Sequence, residues 1–198
     1  MYALLLDSSN KNLSVGLALD GKLVDRTSYE AWQKQSELLV DEIDKTLVRN
    51  KIGRKDIGSV VVSKGPGSYT GVRIAMSVAK TMSFALGVPL YLVSSLQVQE
   101  VAGKPTICLM NARSKRSYIG VYRDAECLLE DTVIENQDVL EYIKNHPDYE
   151  VSGELSQLGL EDKPGDILGN LLKADVPANL CDEPLAAKPV YLKDTYQV

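Results

Sequence analysis

Lys64-Gly65-Pro66-Gly67-Ser68-Tyr69-Thr70-Gly71-Val72-Arg73 joins an apolar strand pattern, Ile57 to Ser63, to a long and mostly apolar helix pattern, Thr70 to Leu86. Three glycines and a proline at a strand-to-helix junction permit backbone conformations that other residues resist. They also let another backbone, or an anion, approach the amide groups at the start of the helix. Gly87 supplies a stop signal for that helix, and Pro89–Val93 reads as the next strand. Strands alternating with helices need crossovers, and crossovers imply a parallel portion of sheet.

Upstream of the junction, Tyr2–Asp7, Asn12–Leu19 and Lys22–Tyr29 read as strands. Asp20-Gly21 is a two-residue hairpin signal, and the short Ser8-Ser9-Asn10-Lys11 link makes the first pair a hairpin too. Gln35 to Asn50 reads as an amphipathic helix with Leu39, Val40, Ile43 and Leu47 on one stripe and Ser36 as its cap. Three meander strands followed by helix, strand, helix and strand is the layout of one actin-like, ribonuclease H-type subdomain. Downstream, the pattern predicts a short helix from Ser95 to Ala102 and a subdomain boundary at Gly103-Lys104-Pro105. A second meander follows (Thr106–Met110, Ser117–Arg123, Cys127–Ile134), then helices at Gln137–Asn145 and Ile167–Lys173 around a short Glu150–Ser152 strand. The fold class expected is therefore α/β, with two mixed-sheet subdomains. Residues 1–103 form the first, and 104–198 are a shortened echo of it.

The 198 residues carry a formal charge of −5, with a pI near 5.0, which gives no electrostatic footprint for gripping a polyanion alone. There is no run of about 18 apolar residues to span a bilayer. The N-terminal Met1-Tyr2-Ala3-Leu4-Leu5-Leu6-Asp7 has neither a basic region nor a small-residue cleavage site, so a cytoplasmic protein is expected. Three widely spaced cysteines, Cys108, Cys127 and Cys181, argue against a disulfide framework and against a zinc site. His146 is the only histidine and precedes Pro147 in a polar stretch that reads as a surface turn. A serine nucleophile most often needs a histidine base, and a metalloprotease site needs two histidines at helical spacing. Neither arrangement is available.

The helix pattern 70–86 is too apolar for an ordinary surface helix. Val72, Ile74, Ala75, Met76, Val78, Ala79, Met82, Ala85 and Leu86 cover an arc of about 200°, twice the usual stripe. Only Arg73 and Lys80 carry charge, and they share a face. Either the helix lies under the rest of its own domain, or one side packs on the sheet and the other on a partner. Gly65-Pro66-Gly67 invites a nucleotide reading but fails the P-loop and dinucleotide spacings, which leaves a tight packing turn as the alternative. Ser68 or Thr70 would cap the helix. Asp7 with Ser8 and Ser9 stands where actin-like ATPases place groups that contact Mg²⁺ and phosphates. No matching second phosphate loop occurs in residues 105–198, so a degenerate nucleotide site or a structural Asp turn is expected. Asn111-Ala112-Arg113-Ser114-Lys115-Arg116 reads as a basic turn that would meet either solvent or phosphate.

Gly65-Pro66-Gly67-Ser68-Tyr69-Thr70-Gly71-Val72-Arg73-Ile74 resembles the signature of the TsaB (YeaZ) family, within the glycoprotease-like, actin-like ATPase superfamily. Leu6-Asp7-Ser8-Ser9, Gln35-Ser36-Glu37-Leu38-Leu39, Asn111-Ala112-Arg113 with Val121-Tyr122, and Pro189-Val190-Tyr191-Leu192 resemble further family segments in family order. Gln35 stands where the family has histidine, Asn111 where it has aspartate, and the second half looks shorter than in typical members. The resemblance implies an actin-like fold, degenerate as an ATPase. It also implies a non-catalytic dimerisation subunit of the tRNA threonylcarbamoyladenosine machinery. Such a subunit forms a homodimer alone and a heterodimer with catalytic TsaD, is joined by TsaE, and meets tRNA only through the complex. No cofactor is expected to bind tightly, and ATP with Mg²⁺ would bind only at the complex interface. The partner-binding residues so implied are Leu38, Leu39, Glu42, Gly65, Pro66, Gly67, Ser68, Tyr69, Thr70, Gly71, Arg73, Met76, Ala79 and Lys80. The alternative is an independent actin-like small-molecule kinase or a glycoprotease-like peptidase.

Overall fold

In a computed structural model, which describes residues 1–192, the chain forms two mixed sheets, each built on an antiparallel meander. β1 (Tyr2–Asp7), β2 (Asn12–Leu19) and β3 (Lys22–Glu30) lead into α1 (Gln35–Arg49). β4 (Ile57–Ser63), α2 (Tyr69–Leu86) and β5 (Leu90–Val93) complete the first lobe. The strand order is β3-β2-β1-β4-β5, with β4 parallel to β1 and β5 parallel to β4. Asp20 and Gly21 both take positive φ, as a two-residue hairpin turn demands.

β1 is buried throughout Ala3–Asp7 because both of its faces are covered. Leu4 and Leu6 join Leu13, Val15, Leu17, Val60 and Val62 beneath α1 and α2. The alternate residues, Ala3 and Leu5, join Ala18, Val61 and Val93 on the opposite face. That opposite face is covered by α4 (Ile167–Lys173) through Leu168 and Leu171. The Asn170 amide fixes α4 by donating to the carbonyls of Val98 and Glu100, at 3.0 and 2.9 Å. Leu4 and Leu5 expose no surface, so truncating either to alanine costs about 2–5 kcal/mol.

The second sheet has the order β8-β7-β6-β9, built from β6 (Thr106–Arg113), β7 (Arg116–Arg123), β8 (Glu126–Glu135) and β9 (Glu150–Gly153). α3 (Asn136–Asn145) crosses from β8 to β9 as α1 does from β3 to β4. Of the range 104–198, the second sheet uses only 106–153. The chain then returns through α4 to the first lobe, and Leu180 bridges Tyr91 along the outer edge of β5.

Two local expectations are corrected. Ser36 does not cap α1: the helix starts at Gln35 after Lys34, and no side chain caps it. The helix read over 95–102 is a single 3₁₀ turn, Gln97–Gln99: Ser94 Oγ caps its start, but the Val101 amide donates to Thr106 Oγ1 and the Asn170 side chain takes the Val98 and Glu100 carbonyls, so the helix does not continue. No helix among the described residues is long and apolar enough to cross a membrane.

Candidate functional site

The decapeptide is a joint where three stretches of backbone meet. Ser68 caps α2, its Oγ accepting from the Gly71 amide at 3.2 Å. The Ser68 amide donates to the Ser9 carbonyl at 2.6 Å, and Ser8 Oγ donates to the Gly71 carbonyl at 2.7 Å. A Cβ added at Gly67 or Gly71 would run into the carbonyl oxygens of Ser9 and Ser8 respectively. At Gly65, whose φ is +102°, it would sit 2.5 Å from the carbonyl oxygen of Val190. Of the two readings open to these glycines, the geometry therefore selects close backbone approach. The room that glycine creates at these three positions is filled by carbonyl oxygens of neighbouring backbone. Pro66 is buried within the joint, and the Gly65–Pro66 peptide is cis.

Asp7 lies at the end of β1 with no exposed surface. Its Oδ1 accepts from Ser63 Oγ and, at 3.4 Å, from the Ser9 amide, while Oδ2 and Ser9 Oγ have no hydrogen-bond partner. Burial pushes the carboxyl above its ordinary range, against the pull of the Ser63 and Ser9 bonds. Asp7, Ser8 and Ser9 thus form a closed polar knot. A nucleotide's Mg²⁺ needs an exposed, ionised carboxylate, so these three residues do not fit that group. Among the described residues, no group of three or more His, Cys, Asp or Glu is placed to hold a metal.

The residues expected to meet a partner divide into two sets. Leu39, Met76 and Ala79 are inside the first-lobe core, at 0, 2 and 0 % exposure, and Leu38 packs against that core from its edge. Glu42 is also buried, where Arg49 Nη1 reaches its Oε1 at 3.0 Å. These five side chains hold the helices to the sheet rather than present a surface, because the 3.6-residue period turns them inward. The same buried placement applies to Gly65, Pro66 and Gly71, while Gly67 and Ser68 are half-buried. Tyr69, Thr70 and Arg73 are exposed, with the Arg73 guanidinium 5.0 Å from the Tyr69 ring centroid. Lys80 is half-buried and donates to the Ala187 carbonyl at 2.9 Å.

The outward apolar surface lies one step around both helices. Val40 and Val48 on α1 and Phe84 on α2 are 59, 68 and 66 % exposed. Between the helices runs a groove of about 430 Å³ lined by Val40, Ile43, Leu47, Val78, Met82 and Leu86, with Asp44 and Arg54 at its rim. Sequence reading placed Val40 on the core stripe and did not single out Val48 or Phe84. The usable signal was the eight-residue spacing of Val40 and Val48, which repeats on one face just outside that stripe.

A second cavity, about 570 Å³, separates the lobes and is lined by Lys11, Trp32, Tyr69, Met110, Arg113 and Glu154 among others. Arg113 lies 5.7 Å from the Trp32 ring centroid, and the Asn111 amide donates to Glu154 Oε2 at 2.9 Å. Burial, with Asp162 nearby, pushes the Glu154 carboxyl upward. The two family departures both do structural work near this cavity. Gln35 donates to the Asn10 carbonyl at 3.1 Å, and Asn111 Oδ1 accepts from the Arg113 amide at 2.8 Å to shape the turn. His146 stacks on Tyr142 and tilts against Tyr149, with ring centroids 4.1 and 4.8 Å away.

Two lobes, each with a three-strand meander extended by parallel pairing, define an actin-like α/β protein. Its fold matches the structure of YeaZ from Pseudomonas aeruginosa with a TM-score of 0.76 at 23% identity, over 96% of this chain and 99% of that one. The family model described as "TsaD: tRNA N6-adenosine threonylcarbamoyltransferase" matches residues 29–161. The tRNA threonylcarbamoyladenosine biosynthesis protein TsaB of Bacillus subtilis is 31% identical over 144 residues, 71% of this chain and 62% of that protein. An uncharacterized protein of Mycoplasma genitalium is 29% identical over 98% of this chain and 95% of its own length. The chain belongs to the TsaB (YeaZ) family. The matched region spans 62% of the length of the TsaB proteins of B. subtilis and of Buchnera aphidicola from Schizaphis graminum.

Proposed function

We propose that this chain is a scaffold subunit in the formation of threonylcarbamoyladenosine in tRNA, and that it offers the α1–α2 groove to a catalytic TsaD-type subunit. The observation that carries this reading is an apolar surface on the two helices: Val40 and Phe84 are exposed, and Val78 and Met82 are half-buried at the edge of the lobe's core, where they line the groove with Val40. An exposed apolar face of this kind marks an interaction surface. In isolation the same groove pairs two copies of the chain, TsaE joins the assembly with TsaD, and tRNA is reached through the complex. The chemistry and any ATP with Mg²⁺ belong to the partner or to the joint interface. The sealed Asp7 knot and the tyrosine-stacked His146 support a non-catalytic role.

The test is reconstitution of tRNA modification with TsaD and TsaE, using wild type and Val78→Glu. Val78 is half-buried at the groove, so a carboxylate there would be desolvated at the interface while the free subunit keeps it near water. The variant should fold, lose co-elution with TsaD and lose activity together. Full modification without this chain, or with the variant at wild-type affinity, overturns the proposal.

A further inference from the structure

The segment after the last 3₁₀ turn, Pro184–Ala186, has no regular structure, yet it touches both lobes. Ala187 packs against the first-lobe core, and its carbonyl accepts from Lys80 Nζ on α2. The Val190 amide donates to the Lys64 carbonyl at 2.7 Å, at the start of the decapeptide. The Tyr191 ring lies 5.1 Å from that of Tyr69, the first residue of α2. One residue later, Leu192 packs against the cluster of Leu96, Cys108, Met110, Ala112, Tyr118 and Tyr122, on the face of the second sheet opposite α3. Tyr69, Met110, Ala112 and Tyr118 also line the cavity between the lobes.

We propose that Ala187–Leu192 is a strap that ties the two lobes together across this cavity and sets how far it opens. The two attachments are chemically different. On the first lobe the strap is held by the Val190–Lys64 backbone bond, by Lys80 on the Ala187 carbonyl and by the Tyr191–Tyr69 contact, and Gly65 is what admits it, since a side chain there would occupy the place of the Val190 carbonyl. On the second lobe, among the described residues, Leu192 seats its side chain in an apolar cluster. A half-buried segment without regular structure detaches more readily than the lobes unfold. The open state therefore exists within the folded protein, and the strap's grip fixes its population. The interior of the Leu192 cluster includes Cys108, whose side chain is fully buried. Its thiol becomes reachable when the strap and the second sheet part.

The experiment measures labelling of Cys108 by a thiol reagent in the full chain carrying Cys127→Ser and Cys181→Ser. In that background Val190→Pro removes the donated amide and Gly65→Ala displaces the Val190 carbonyl, while Val190→Ala keeps the amide. Val190→Pro and Gly65→Ala should each raise the labelling rate about tenfold, the loss of a hydrogen bond and its packing. The acceleration should be independent of low urea concentrations, because local opening exposes little surface. Val190→Ala should label within about twofold of the parent. Unchanged rates in folded Val190→Pro and Gly65→Ala overturn the proposal. So does an acceleration that rises with urea as steeply as global unfolding, or an equal acceleration by Val190→Ala. Should both variants fail to fold, the chain ending at Ala187 gives the same reading, since removing the strap must then expose Cys108.

Discussion

Gly71→Ala should destabilise the protein by about 3 kcal/mol, although glycine-to-alanine inside a helix ordinarily stabilises by up to about 1 kcal/mol. Gly71 is the third residue of α2, and an added Cβ overlaps the Ser8 carbonyl oxygen, which is backbone and cannot swing aside. Overpacking against fixed atoms costs about 1–3 kcal/mol. Moving the helix away to relieve it breaks the 2.7 Å bond from Ser8 Oγ to the Gly71 carbonyl and the 2.6 Å bond from the Ser68 amide to the Ser9 carbonyl. Each is worth about 1 kcal/mol. The propensity gain offsets only a fraction of this. For a chain of this length the loss appears as a fall in Tm of about 6–12 °C, read by circular dichroism and confirmed by urea titration. Gly53→Ala is the control: its φ is negative and its Cβ would meet nothing closer than 3.7 Å, so the variant should stay within about 0.5 kcal/mol of wild type. If Gly71→Ala melts at or above the wild-type temperature, the joint is not packed as described.

Asp7→Asn should stabilise the protein at pH 7 by about 1–3 kcal/mol, because the amide remains an acceptor for Ser63 Oγ and offers Ser9 Oγ a donor. The wild-type carboxyl is raised by burial, so its favourable protonated form is present at low pH and is lost as pH rises through the folded value. Urea titrations at pH 4 and pH 7.5 should show the variant's advantage only at the higher pH, and a less stable variant at both refutes the reading. Arg49→Met should cost about 2 kcal/mol at neutral pH, since Arg49 grips Asp25 through two nitrogens at 2.6 and 2.8 Å and also reaches Glu42. The guanidinium holds Asp25 below its usual value, so that stability is present above the ordinary carboxylate range and lost as pH falls. The difference between wild type and variant should therefore shrink on acidification, and a pH-independent gap counts against it.

Much of the architecture was legible because local rules and tertiary demands agree. Asp20-Gly21 and Gly87 each ask for positive φ and receive it, and the strands of both meanders lie where alternation or apolar runs put them. What sequence could not supply was direction. The excess apolar surface of α2 is real, yet the side chains expected to meet a partner, Met76 and Ala79, face the sheet. A helical wheel fixes which residues share a face and leaves open which face turns inward. Gln35 shows the same limit: sequence marks it only as a departure from the family histidine, while its amide secures the Asn10 turn. The Ser95–Ala102 pattern failed for a different reason. Thr106, beyond the segment, and Asn170, distant in sequence, take the Val101 amide and the Val98 and Glu100 carbonyls that a longer helix would need. The decapeptide was the best signal throughout, since only contact with Ser8, Ser9 and Val190 explains three glycines so close together.

The position of α4 has a consequence for synthesis. One face of the first sheet, carrying Ala3, Leu5, Val61 and Val93, is covered by Leu168 and Leu171, which the ribosome delivers long after β5 is made. At about 5–20 residues per second, the interval between Val93 and Ala174 is roughly 4 to 16 seconds. During that time the nascent lobe has every strand it needs and still presents a bare apolar face. Chaperone engagement of this chain should peak there and fall once α4 leaves the exit tunnel.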